Sequence, residues 1–336
     1  MLTGLPISLL IVIYIIALIA GFLLLIKGAD IFVEGASSIA GNLKVPKMLI
    51  GLTIVAFGTS APEFAVSISS IFAGKGDIVL GNVIGSNILN ILLILGCAAM
   101  VHTLKVKPNT SSKELPMMLL MTTILAVTIG DHLFDPTATN MITRGEAIVI
   151  LLFFSVFLYY LFGMARGEKD KSKDKYMPMN KAIIYTVLGI IGIVAGSQFA
   201  VNGASGLAQL AHVSEAMIAL TIVALGTSLP ELVTSVMATR KGEYDLAIGN
   251  VIGSNIFNIG VVLGIPIAIF GGGSVNHVGI AATGFEWYDI AVMLLSAILL
   301  FIFGANDRQI SKKEGIVFLV LFVVYYAYVI VTGINV

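Results

Sequence analysis

Charge is what this chain has least of. Only 11% of its 336 residues are Asp, Glu, Lys or Arg, where a soluble domain carries about 25%. That deficit excludes an ordinary soluble domain. The net charge is zero, so no basic footprint for nucleic acid is present. There is one cysteine, Cys97, which excludes an internal disulfide and reads as a small buried hydrophobe. Four histidines, at 102, 132, 212 and 277, stand near segment ends without metal-ligand spacing, which argues against a zinc or copper centre. The first apolar run has no basic residues ahead of it and is followed by further runs, so it reads as a mature helix and not a cleaved signal. What fills the chain is apolar: 58% hydrophobic residues, with a mean hydropathy of +1.02. The class is an all-α polytopic membrane protein.

A spanning helix needs about 20 mostly apolar residues. That ruler gives ten spans, near 7–28, 46–72, 78–101, 115–130, 144–163, 181–201, 213–239, 246–270, 285–304 and 314–333. One polar linker, 166–180, alternates Lys with acidic residues and is too short for a folded domain. It divides the chain into a first five-helix unit (1–165) and a second (181–336). With the N-terminus outside, every basic residue but Lys75 and Arg144, of 19, falls in an inside loop, including Lys27, Lys44 and Lys47. Cytoplasmic loops are enriched in Lys and Arg. Both termini are therefore expected outside the cytoplasm, the linker within it, and the chain in the cell membrane.

The chain contains itself. TIVAFGTSAPE (53–63) returns as TIVALGTSLPE (221–231), and GNVIGSNILNI (81–91) as GNVIGSNIFNI (249–259). Both pairs are separated by the same number of residues, as are Gly35-Ala36-Ser37 and Gly203-Ala204-Ser205. A whole unit has been duplicated. Each unit holds an odd number of spans, so the second enters the membrane inverted. Inverted repeats place ion sites near the midplane where they meet. The best-matched segments are the polar ones, which an inert scaffold would have no reason to retain.

Glu63 and Glu231 fall inside the second and seventh spans, with no Lys or Arg expected in the core of any span. A charge at a helix centre costs about 2.5–3.5 kcal/mol on insertion scales, so each carboxylate must be protonated or hold a cation. Pro62 and Pro230 lack the N–H that would continue the helix, predicting breaks near Gly58-Thr59 and Gly226-Thr227 with freed carbonyls. Thr59 and Ser60 share a face with Glu63, and Thr227 and Ser228 share one with Glu231. In the third and eighth spans Asn82, Ser86 and Asn90, mirrored by Asn250, Ser254 and Asn258, form polar stripes at four-residue spacing. This set of carboxylate, hydroxyl, amide and carbonyl oxygens suits a hard cation such as calcium. Asp77 and Asp245 read as helix N-caps. Glu114, Asp131, Glu146, Glu286 and Asp289 read as interfacial.

These residues resemble the α-repeats of the calcium/cation antiporter superfamily, most of all its sodium/calcium exchanger branch in compact prokaryotic form. The resemblance covers the whole chain and rests on G-T-S-x-P-E followed by G-N-V-I-G-S-N in both copies. It implies electrogenic sodium/calcium antiport by alternating access. Carried onto this sequence, the calcium site uses Glu63 and Glu231 with the Thr59 and Thr227 carbonyls. Sodium sites use Ser60, Ser86 and the Ala56 carbonyl on one side, and Ser228, Ser254 and the Ala224 carbonyl on the other. Asn90 and Asn258 line the centre. Some family members carry Asp where this chain has Asn258, notably potassium-dependent exchangers, so two asparagines imply potassium independence. The first and sixth spans hold no site residue and are candidates for a sliding gate. The expected partners are calcium, sodium and the lipid bilayer, with no cofactor, no enzymatic activity and no obligatory protein partner. The residues alone also fit a proton-coupled cation exchanger of the same fold or, in another class, a cation channel.

Overall fold

The computed structural model describes residues 6–73, 75–130, 141–167, 176–211, 224–271, 279–281 and 287–334. Helices carry the fold: α1 (Ile7–Leu43), α2 (Lys47–Thr59), α3 (Ala61–Phe72), α4 (Ile78–Val101), α5 (Thr110–Ile129), α6 (Arg144–Gly167), α7 (Met179–Leu210), α8 (Ala224–Thr227), α9 (Leu229–Arg240), α10 (Tyr244–Phe270), α11 (Trp287–Asn306) and α12 (Lys312–Ile334). Among the described residues eight helices are long and apolar enough to cross a membrane, or nine if α2 and α3 form one bent span. The span expected at 213–239 begins outside the described residues and ends in α8 and α9.

α1 and α7 run well past their apolar stretches. Each was expected to be about one bilayer long. α1 has 37 residues and α7 has 32, so α1 is roughly 55 Å long at 1.5 Å per residue. The continuation is polar but buried. Gly28, Ala29, Gly35, Ala36, Ser37 and Ser38 face protein, and no proline intervenes until Pro46. Lys27 consequently lies within α1, not in a loop. The helix stops at Lys44, whose left-handed φ of 57° forms the C-cap just ahead of Pro46.

α1 and α7 pack side by side, antiparallel, along a seam of glycines at seven-residue spacing: 21, 28 and 35 on one, 189, 196 and 203 on the other. A Cβ at Gly21 would stand 2.5 Å from Ala200 N, at Gly28 2.8 Å from Ile193 N, and at Gly35 2.7 Å from Thr186 N. The two backbones therefore touch, which only glycine allows.

α4 and α10 are the most enclosed spans, 72% and 83% buried. Their polar stripes point into protein, as does the whole of α10 from Leu246 to Phe257. Each contains a π-helical stretch, Asn90–Leu95 and Asn258–Gly264, at the same repeat position. Such bulges recur at functional sites.

Two small ribbons tie loops together. β1 (Leu104–Lys105) pairs antiparallel with β4 (Gln309–Ile310), and β2 (Met141–Thr143) with β3 (Gly279–Ala281). Neither Asp77 nor Asp245 is an N-cap; Lys75 and Glu243 hold those positions, and Asp245 sits in the first turn, 2.6 Å from Lys107 Nζ. Glu114, near the start of α5, is 1% exposed, and it accepts a hydrogen bond from Tyr160.

Candidate ion-binding site

The site forms where two broken helices meet two polar stripes. α2 ends at Ser60, whose φ −82° and ψ 6° leave the helical region, and α3 restarts beyond it at 46°. α8 and α9 break the same way at Ser228, with φ −89° and ψ 3°. The break thus falls one or two residues later than expected. Proline sits comfortably in the first turn of the new helix, where its missing N–H is not needed. The interruption is pushed back onto the serine.

The freed carbonyls are handled differently in the two halves. Pro230 cannot bond the Gly226 carbonyl, and Ser197 of α7 donates to it instead at 2.6 Å. That carbonyl is therefore spoken for. The Ala56 carbonyl accepts the Ser60 N–H at 3.0 Å, with the Thr59 hydroxyl 3.4 Å away. Thr59 Oγ1, with one proton to donate, stands 3.1 Å from Val55 O of its own helix and 3.1 Å from Asn250 Oδ1 of the other half.

Glu63 and Glu231 are each 1% exposed. Ser60 Oγ of the first half donates to Glu231 Oε1 of the second at 3.1 Å. Ser228 and Thr227 stand beside Glu63, whose two oxygens make no hydrogen bond of standard geometry to a described residue. Ser228 Oγ donates to Ser86 Oγ at 3.4 Å, joining a broken helix of one half to a stripe of the other. Asn258 Nδ2 donates to Asn87 Oδ1 at 3.1 Å, which brings α4 and α10 together at the centre. Ser86, Ser254, Asn90 and Asn258 are all buried, at 3%, 0%, 1% and 1% exposure. Ala224 lies in α8.

The structure therefore gathers Glu63, Glu231, Ser60, Ser228, Ser86, Asn90 and Asn258 into one buried centre. Buried polar atoms without a partner among the described residues concentrate on this set and on Ser254: Glu63 Oε1 and Oε2, Glu231 Oε2, both Asn90 amide atoms, Ser254 Oγ and Asn258 Oδ1. Leaving such a group unmatched costs about 1–3 kcal/mol, and most of these atoms are oxygens. A hard cation that accepts six to eight oxygens would satisfy them. Among the described residues no group of three or more His, Cys, Asp or Glu side chains gathers, so the charge at the centre comes from the two glutamates. Sequence reasoning passed over Ser197, Ser67 and Ser235; the repeat offset, which pairs Ser67 with Ser235, was the signal that could have found the last two.

The sodium/calcium exchanger protein family matches this chain twice, over residues 13–163 and 181–331. CaxA of Alkalimonas amylolytica is 40% identical over 319 residues, covering 92% of this chain and 96% of its own. The sodium/calcium exchanger MaX1 of Methanosarcina acetivorans is 32% identical over 342 residues, with the same 92% and 96% coverage. A solved structure of the sodium-calcium exchanger NCX_Mj superimposes with a TM-score of 0.81 at 31% identity, covering 94% of this chain and 99% of that one.

Proposed function

Because this chain belongs to the sodium/calcium exchanger family, it is a secondary antiporter that exchanges sodium for calcium, and we propose that the buried pair Glu63 and Glu231 is where the two ions compete. It is a transporter and not an enzyme. Two carboxylates supply a charge of −2, which one calcium neutralises. Sodium ions entering the flanking sites neutralise the same charge. Holding both sets at once would leave excess positive charge in a low-dielectric site, so the sets exclude each other and exchange follows. Calcium takes Glu63, Glu231 and the Thr59 and Thr227 carbonyls. Sodium takes Ser60, Ser86 and the Ala56 carbonyl in one half, and Ser228, Ser254 and the Ala224 carbonyl in the other, with Asn90 and Asn258 lining the centre. The observation that carries this reading is the bond from Ser60 of the first half to Glu231 of the second at 3.1 Å, which puts ligands of both halves within one site.

The chain makes ten spans in two inverted units, 1–165 and 181–336, joined by the linker 166–180. Antiparallel α1 and α7, at matching repeat positions, support the inversion. The pairing of loops supports the count. β1 with β4, Lys107 with Asp245 and Asn42 with Met177 O join loops assigned inside. β2 with β3, and Arg144 with Ile269 O, join segments assigned outside. Among the described residues no such pair crosses sides. The termini then lie outside the cytoplasm and the protein resides in the cell membrane, with lipid around it and no obligatory partner protein. The glycine seam between α1 and α7, free of ion ligands, is the surface along which those helices slide as the site changes sides.

The test is calcium uptake into proteoliposomes under a sodium gradient, with potassium and proton gradients imposed separately. Sodium alone should drive uptake, and Glu63→Gln or Glu231→Gln should abolish it. Wild-type uptake by either variant would overturn the site assignment.

A further inference from the structure

Asn82 and Asn250 lie outside the proposed ligand set, yet each makes the same pair of bonds in its own half. Asn82 Nδ2 donates to the main-chain carbonyl of Glu63 at 3.0 Å and to Ser67 Oγ at 3.3 Å. Asn250 Nδ2 donates to the main-chain carbonyl of Glu231 at 3.4 Å and to Ser235 Oγ at 2.9 Å. Ser67 and Ser235 stand one helical turn beyond the glutamates, on the same face, and both are 0% exposed. Each amide therefore grips one turn of the helix that begins at the break. It holds the backbone of the glutamate and not its carboxylate.

The geometry has a consequence for the ligands. Asn82 precedes Ser86 by four residues and Asn90 by eight, all on one face of α4. Asn250, Ser254 and Asn258 repeat this on α10. The clamp thus sets the distance from each carboxylate to the hydroxyl and amide ligands of the neighbouring helix. Asn250 does one thing more: its Oδ1 stands 3.1 Å from the Thr59 hydroxyl, whose single proton it shares with Val55 O, also at 3.1 Å. Thr59 belongs to the opposite half and precedes Glu63 by one turn. Asn250, 0% exposed, has both faces of its amide engaged and ties the backbone of one glutamate to the helix end that leads to the other.

We propose that Asn82 and Asn250 are positioning residues for the ion site, and that Asn250 couples its two halves through Thr59. This rests on the reading of Glu63 and Glu231 as ion ligands. Calcium needs both carboxylates at fixed separation from several neutral oxygens, so a loosened glutamate turn lowers calcium affinity before it slows translocation. Supporting groups behind metal ligands are typically worth 10–100-fold in affinity.

The experiment is calcium binding by calorimetry and sodium-driven exchange in proteoliposomes, on the full chain, for Asn82→Ala, Asn250→Ala, Ser67→Ala, Ser235→Ala and Thr59→Val. The asparagine variants should raise half-saturating calcium about 10–100-fold with maximal rate held within about threefold. The serine variants, which lose one neutral hydrogen bond, should raise it about fivefold. They carry the test if an asparagine variant does not fold. Asn250→Ala should exceed Asn82→Ala, and in a Thr59→Val background that excess should vanish. Half-saturation at the wild-type value in folded variants overturns the positioning role, and so does a fall in maximal rate alone. Additive effects of Thr59→Val and Asn250→Ala overturn the coupling. Exchange that survives Glu63→Gln overturns the ion-site reading instead, a separate outcome from any of these.

Discussion

The two halves of this protein agree at the centre and part company at one face. At the centre, Asn82 and Asn250 make matching bonds to matching atoms. At the face that carries the end of the linker, three ion pairs converge on the short turn 241–245: Lys241 with Asp30 at 2.8 Å, Glu243 with Lys47 at 2.9 Å, and Asp245 with Lys107 at 2.6 Å. The repeat mates of Lys241 and Glu243 are Ala73 and Lys75, which cannot form the same bonds. A duplicated ion site needs equal ligands from both copies. The two faces that open in turn need different closures, and there the copies have become different. Even the broken helices show this. Ser197 closes the carbonyl freed by Pro230, while its repeat mate, Ala29, has no group to offer the one freed by Pro62.

The largest test of equality at the centre is Glu63→Gln against Glu231→Gln. Each removes one of two charges and leaves the volume unchanged. Truncating one member of a buried charged set costs about 2–5 kcal/mol, so each should lower sodium-driven calcium uptake about 30-fold or more. Equal losses would support a site shared evenly by the halves. A Glu231→Gln variant much milder than Glu63→Gln would break the comparison and assign calcium to the first half. The direct check is calcium binding by calorimetry on both variants.

Next in size is the glycine seam. A side chain at Gly28 or Gly196 meets the main chain of the partner helix, with Ile193 N at 2.8 Å and Leu25 N at 2.6 Å from an added Cβ. Backbone cannot step aside as a flexible side chain can. Overpacking costs about 1–3 kcal/mol, so Gly28→Val or Gly196→Val should cut exchange roughly tenfold or more. Calcium binding should survive, because no ligand is touched. Gly145→Ala, where the nearest atom is 3.8 Å from the added Cβ, is the silent control. Loss of binding and transport together would mean that the seam holds the site in place and does not serve motion.

Much of this centre was legible in the sequence. Glu63 and Glu231 stood out because charge is otherwise so rare, and the repeat offset paired each ligand with its mate. Proline announced the breaks. What was not legible came from tertiary burial. The lengths of α1 and α7 were misjudged because Gly, Ala and Ser at 28–41 look like the end of a lipid-facing run, whereas they face protein. The breaks landed on Ser60 and Ser228 because a proline tolerates the first turn after the interruption. Nothing in the sequence pairs Glu114 with Tyr160, which bonds it in the fold. The π-helical stretches at Asn90 and Asn258 carry no proline and had no sequence signal.

Ser197→Ala gives a smaller effect that belongs to the second half alone. It leaves the Gly226 carbonyl buried without its 2.6 Å donor, at a cost of about 1–2 kcal/mol. Thermal or denaturant unfolding should register this, with exchange changed less than fivefold. A variant as stable as the wild type would show that the freed carbonyl finds another donor, and the halves would then be more alike than their sequences.

The smallest effect tests the unlike face. Lys47 Nζ lies 2.9 Å from both carboxylate oxygens of Glu243, and Ser37 Oγ donates to one of them at 2.8 Å. The Tyr176 ring, in the linker, lies 5.8 Å from the same ammonium. The pair is only about 19–20% exposed, so it should sit near the upper end of the 0.2–1 kcal/mol typical of accessible pairs. Because it joins the two halves across one face, breaking it should favour opening of that face. Lys47→Gln and Glu243→Gln should each change half-saturating calcium on that side of oriented vesicles by a few-fold, in the same direction. The double variant should do no more than either alone, because the bond is already lost. Sites that do not interact add to within about 0.3–0.5 kcal/mol, so simple addition in the double variant would mean that the pair is no latch. Raising ionic strength should shrink the wild-type advantage, since this pair is reached by solvent.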